Sequence, residues 1–154
     1  MKYSAFLLVL LTANAFAGSS SIDLTGNYHQ VFTTPSGNIL CGGDSFKRPQ
    51  AKLYRNDVYC FVYKNKAMPS SCKQNPDGEI GMNFTLNQRG KAQMSCAHFE
   101  FAPDNVGESQ TRTLKYGETI RGKGWACTSE TTGLRCQNDV GRGFFLNRSR
   151  YELF

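Results

Sequence analysis

The chain has 154 residues, 40% of them hydrophobic, and 18 Lys and Arg against 12 Asp and Glu give a formal charge of +6. That length suits one domain with a sizeable core and requires no second. Beyond the N-terminus no apolar run approaches the roughly 20 residues of a membrane-spanning helix.

The chain opens Met1-Lys2-Tyr3-Ser4, continues through the apolar run Ala5-Phe6-Leu7-Leu8-Val9-Leu10-Leu11, and reaches Ala15-Phe16-Ala17 ahead of Gly18-Ser19-Ser20. A short positive start, an apolar stretch too short to span a bilayer comfortably and an A-x-A site predict a secretory signal peptide, residues 1–17, cleaved after Ala17. Neither a stop-transfer run nor a flanking basic cluster follows, which disfavours an uncleaved anchor. Residues 18–154 are then expected to form a single β-rich domain, exported to the periplasm or beyond, with no transmembrane segment.

Turn residues recur downstream at Pro35-Ser36-Gly37-Asn38, Asn75-Pro76-Asp77-Gly78, Gly107 and Thr132-Gly133. Between them lie short runs rich in Val, Ile, Phe, Tyr and Thr, with no sustained helical period. This predicts an all-β fold, a small disulfide-stapled sandwich or barrel of short antiparallel strands. In Asp57-Val58-Tyr59-Cys60-Phe61-Val62-Tyr63 one face carries Val58, Cys60 and Val62 and the other Tyr59, Phe61 and Tyr63. Both faces are apolar or aromatic, so this strand is expected to be central and covered on both sides. Ile39 shares a face with Cys41, Trp125 with Cys127 and Leu134 with Cys136, which points these cysteines toward the core.

An internal pseudo-repeat is suggested by Gly81-Met82-Asn83-Phe84-Thr85-Leu86-Asn87 and Gly141-Arg142-Gly143-Phe144-Phe145-Leu146-Asn147. Each follows a pair of cysteine segments, Cys41 and Cys60 in the first half, Cys127 and Cys136 in the second. Similar strand-and-turn composition is the alternative explanation.

All six cysteines, Cys41, Cys60, Cys72, Cys96, Cys127 and Cys136, lie after the predicted signal. An even count in an exported chain points to disulfides. Zinc would want C-x-x-C pairs or nearby histidines, and neither His29 nor His98 has ligand spacing to a cysteine pair. No metal or other cofactor is expected. Six cysteines permit fifteen pairings; a hairpin reading favours neighbours, Cys41 with Cys60, Cys72 with Cys96 and Cys127 with Cys136.

Catalytic signals are weak. His29, in Asn27-Tyr28-His29-Gln30-Val31, and His98, in Cys96-Ala97-His98-Phe99, are the candidate bases for a small secreted hydrolase. Asp77 and Glu79 flank a Pro-Asp-Gly turn and read as solvated, and Arg121-Gly122-Lys123-Gly124 lacks the strand and helix context of a phosphate loop. From residue 110 onward 8 Lys and Arg face 4 Asp and Glu. The candidate binding residues are Arg121, Lys123, Arg142, Arg148 and Arg150, with Phe145 as an outward anchor or as packing beneath the C-terminal Tyr151-Glu152-Leu153-Phe154. A basic face would suit an anionic envelope polymer, a lipid head group or an acidic protein. The export signal disfavours nucleic acid.

Three stretches, Phe32-x-x-Pro35-Ser36-Gly37-Asn38-Ile39-x-Cys41, Leu114-x-Tyr116-Gly117 and Gly133-Leu134-x-Cys136-x-Asn138-x-x-Gly141-x-Gly143-Phe144-x-Leu146-x-Arg148, resemble a family of small exported bacterial proteins classed as a domain of unknown function. The resemblance implies an exported β-rich protein with structural disulfides and brings no catalytic residues. The leading expectation is therefore an exported binding module that recognises a protein or envelope component, as an inhibitor or an immunity factor. The alternatives are the hydrolase and a structural envelope protein held by its basic face.

Overall fold

The computed structural model describes residues 28–45, 56–73, 80–98 and 111–154. The predicted signal peptide and the turns at Asn75–Gly78 and Gly107 lie outside the described residues.

The first two strands, β1 (Tyr28–Thr33) and β2 (Ile39–Ser45), are joined by the Pro35-Ser36-Gly37-Asn38 turn, where Gly37 holds a φ of 66° that a side chain would resist. β3 (Asp57–Val62), β4 (Ile80–Asn87) and β5 (Gln93–His98) extend this sheet, and β6 (Thr111–Thr113) closes it beyond β1, giving the order β5-β4-β3-β2-β1-β6. A second sheet follows as a meander: β7 (Thr119–Gly122), β8 (Trp125–Glu130), β9 (Gly133–Asn138), β10 (Gly143–Leu146) and β11 (Tyr151–Leu153). The expected choice between sandwich and barrel resolves to a sandwich, because the two sheets remain separate. One pairing departs from the antiparallel expectation: β6 runs parallel to β1, Val31 opposite Thr111 and Thr33 opposite Thr113. A strand arriving from a distant part of the chain, and not through a hairpin, is free to pair in that sense.

Alternation places Val58, Cys60 and Val62 between the sheets, all fully buried, beside Phe84 and Leu86 of β4 and Leu134, Phe144 and Leu146 of the second sheet. The opposite face of β3 is covered too: Phe61 and Leu40 form a second buried cluster with Tyr28, Val31 and Tyr63 against it. The Phe61 and Tyr63 rings meet edge-on at 4.9 Å.

The disulfides join Cys41 to Cys60, Cys72 to Cys96 and Cys127 to Cys136, the neighbouring pairs that hairpins favour. Cys41 lies directly opposite Cys60 and Cys127 directly opposite Cys136, with Cα atoms 4.1 and 4.0 Å apart. Cys72 reaches β5 from a single helical turn, Ser70–Cys72. Each bond adds roughly 2 to 4 kcal/mol, mainly by restricting the unfolded chain.

The two halves share one register. Phe32 pairs with Cys41, Cys41 with Cys60 and Cys60 with Phe84; in the second sheet Ile120 pairs with Cys127, Cys127 with Cys136 and Cys136 with Phe144. Val58 opposite Leu86 matches Leu134 opposite Leu146, and Ile39 opposite Val62 matches Trp125 opposite Asn138. Phe84 and Phe144, equivalent in this scheme, touch each other in the middle of the core with ring centres 5.7 Å apart. The units run in opposite senses, so the end of β2 meets the start of β8, and each end of the sandwich combines non-equivalent turns.

Candidate functional site

At the end where β2 finishes and β8 begins, Trp125 is wedged between Gly43 and Gly122. A Cβ on either glycine would collide with the indole ring. Phe32 stacks on the same ring at 6.3 Å. Asp44, in the left-handed region with φ 55°, accepts hydrogen bonds from Trp125 Nε1 at 2.9 Å and from the Lys123 amide at 2.9 Å. Gln30 Nε2 reaches Asp44 and donates to the Arg121 carbonyl at 2.9 Å. Asn138 Nδ2 bridges the Asn87 and Gly90 carbonyls, both at 2.8 Å, while Gln88 joins Asp139. Among the described residues these contacts fill the end with the indole and its hydrogen-bonded partners, so this end is packed shut there.

The opposite end holds a cleft of about 370 Å³. It is built where the β1–β2, β6–β7, β8–β9 and β10–β11 turns converge, and its lining includes Thr34, Ile39 and Ser129. These three occupy the register positions of Gly122, Trp125 and Gly43 at the sealed end. Ile39 stands two residues before Cys41 as Trp125 stands two before Cys127, and Ser129 stands two after Cys127 as Gly43 stands two after Cys41. Thr34 donates its amide to the Ile39 carbonyl across the β1–β2 turn, the position Gly122 takes opposite Trp125. An isoleucine cannot occupy the volume of an indole, so space remains. Ser129 is only 1% exposed and its Oγ has no hydrogen-bond partner among the described residues. Such an orphan costs about 1 to 3 kcal/mol unless something completes it.

Side-chain amides hold the rim. Asn38 Oδ1 accepts the Lys64 amide and its Nδ2 donates to the Lys64 carbonyl, both at 3.0 Å. Asn147 Oδ1 accepts the Ser149 and Arg150 amides at 2.8 Å, and its Nδ2 donates to the Thr132 carbonyl. Asn65 Nδ2 donates in turn to the Asn147 carbonyl at 2.6 Å. Tyr116 lines the cleft while 55% exposed. Its turn is gripped by Glu118, whose carboxylate accepts the Lys115 amide at 3.0 Å and Arg112 at 3.2 Å. The Lys115 amide above all, and the Arg112 guanidinium with it, hold the Glu118 carboxyl below its ordinary value. Glu130, also in the lining, bonds Arg135 and Thr132. The Arg148 side chain is exposed and makes no hydrogen bond or ion pair among the described residues.

The sequence-predicted basic residues do not form one face. Arg121, Lys123 and Arg142 lie at the sealed end; Arg148 lines the cleft, and Arg150 follows it in the same turn. Phe145 points away from the core but is 2% exposed, because the Arg135 and Arg150 guanidiniums each cover its ring at 5.2 Å. Of the two placements expected for Phe145, the outward anchor gives way to a buried ring under two cations, opposite Glu152 of the C-terminal strand. Arg150 additionally pairs with Glu152. His29 is exposed in β1 and does not line the cleft, and His98 ends β5, its side chain outside the described residues.

Sequence reasoning by residue type missed Ser36, Asn38, Tyr116, Ser129 and Asn147. The signal was present in the three quoted stretches, whose Ser36, Asn38, Ile39, Tyr116, Gly133 and Arg148 all meet here. Among the described residues no cluster of His, Cys, Asp and Glu is placed to hold a metal ion, and no helix is long and apolar enough to cross a membrane.

A rigid, cross-linked two-sheet β domain with a polar cleft built from turns at one end is the class of scaffold on which loops carry recognition. The chain belongs to a family of unknown function, DUF6636, which matches residues 5–154. No curated protein and no solved structure matches it.

Proposed function

We propose that the protein is an exported binding module that holds a protein or envelope component in the cleft between Tyr116 and Arg148, as an inhibitor or an immunity factor would. The observation that carries this reading is the asymmetry of the two ends: the same register is packed shut at one and left open, polar and rigidly rimmed at the other. Three disulfides are consistent with life in an oxidising compartment. A prearranged rim reduces the entropy lost on binding, which suits recognition.

The test is site-specific photo-crosslinking in cells that make the protein. A benzophenone side chain at Thr131, on the cleft, is expected to yield a discrete adduct with a cell-envelope component. The same probe at Arg142, at the sealed end, is expected to yield none. Equal labelling from both positions, or from neither, would overturn the proposal.

A further inference from the structure

We infer that the cleft accepts a carboxylate-bearing saccharide, with Arg148 pairing the carboxylate and Tyr116 offering its ring to the sugar. This inference rests on the cleft being the recognition site. The lining is poor in apolar side chains: Ile39 and Tyr116 are its larger ones, and hydroxyls dominate the remainder. Asn38 and Asn147 spend their amides on the loops, so exposed hydroxyls such as Thr131 and Ser149 carry the available hydrogen-bonding capacity. A hydroxyl both donates and accepts, the capacity that a polyol ligand matches.

Charge selects within that class. Glu130 is engaged by Arg135, which leaves Arg148 as the unpaired charge in the lining among the described residues. A guanidinium recognises a carboxylate through paired N–H donors. A peptide adding as an extra strand is disfavoured by topology. The strands that reach the cleft, β2, β8 and β9, are interior, with both edges already paired.

The experiment is isothermal titration of the oxidised chain. The probes are oligogalacturonate and an N-acetylmuramate-containing oligosaccharide, each beside its carboxyl-reduced counterpart. At least one acidic form is expected to bind about tenfold or more tightly than its reduced form, a preference that Arg148→Gln abolishes. Tyr116→Ala is expected to weaken binding, and Arg121→Gln, at the other end, to leave it unchanged. Each variant is checked for an unaltered unfolding midpoint. Equal affinity for acidic and reduced forms, indifference to Arg148→Gln, or binding of polyglutamate in place of any saccharide would overturn the inference. If no acidic saccharide binds while Thr131 still crosslinks, the ligand class falls and the binding module stands; if both fail, both fall.

Discussion

At one end of the sandwich an indole fills the gap between two glycines, and at the other the same three positions hold Thr34, Ile39 and Ser129 around an open cleft. The pairing registers of β1 to β4 and β7 to β10 agree, so the difference is one of side-chain volume and polarity on a shared register. Two glycines admit a large ring; two hydroxyls and a smaller aliphatic leave a hole with hydrogen-bonding walls. The acidic residues following those positions diverge in the same way. Asp44 turns inward to Trp125 and the Lys123 amide, while its counterpart Glu130 is drawn to Arg135. An open polar cleft arises here without any change of fold.

Removing the plug should break the comparison most severely. Trp125→Ala, which empties the sealed end and strands Asp44, is expected to cost about 3 to 5 kcal/mol in denaturant unfolding of the oxidised protein. A loss under about 1 kcal/mol would mean that the ring is not the keystone of that end. The reverse experiment rebuilds the sealed end at the cleft. The triple change Ile39→Trp, Thr34→Gly and Ser129→Gly is expected to hold stability within about 1.5 kcal/mol of the parent while abolishing the Thr131 crosslink. Persistence of that adduct would show that the cleft volume is irrelevant to binding.

The smallest effect concerns the Tyr116 turn. Glu118 has a folded-state pKa below its unfolded one, so its contribution is present above the unfolded value and is lost as pH falls through the lowered folded value. An NMR titration is expected to show the Lys115 amide shifting in that acid window. Glu118→Gln is expected to remove the shift, and a shift that survives it would assign the transition to another group.

Much of the scaffold was legible because its determinants are local. Alternation in Asp57–Tyr63 put apolar side chains on both faces of β3, and a hairpin reading favoured the neighbouring cysteine pairs out of fifteen possible pairings. The parallel β1–β6 pair was not legible, since it depends on where a distant segment docks. The cleft was hidden for a related reason: Ser36, Tyr116, Ser129 and Arg148 come from four turns and meet only when the sheets stack. The choice between an outward and a packed Phe145 stayed open because its cover, Arg135, lies ten residues away on the adjacent strand. Gly122 was weighed only as part of a phosphate-loop motif that lacks its context, whereas its absent side chain makes room for Trp125.

The short β6 strand has a mechanical consequence. It belongs by pairing to the first sheet, yet the chain leaves it through the fully buried Leu114 to begin the second. The two similar halves are therefore buttoned together at their junction. Separating them requires stripping β6 from β1 and drawing Leu114 out of the core, so the domain should unfold as one cooperative unit, and neither half expressed alone should keep its shape.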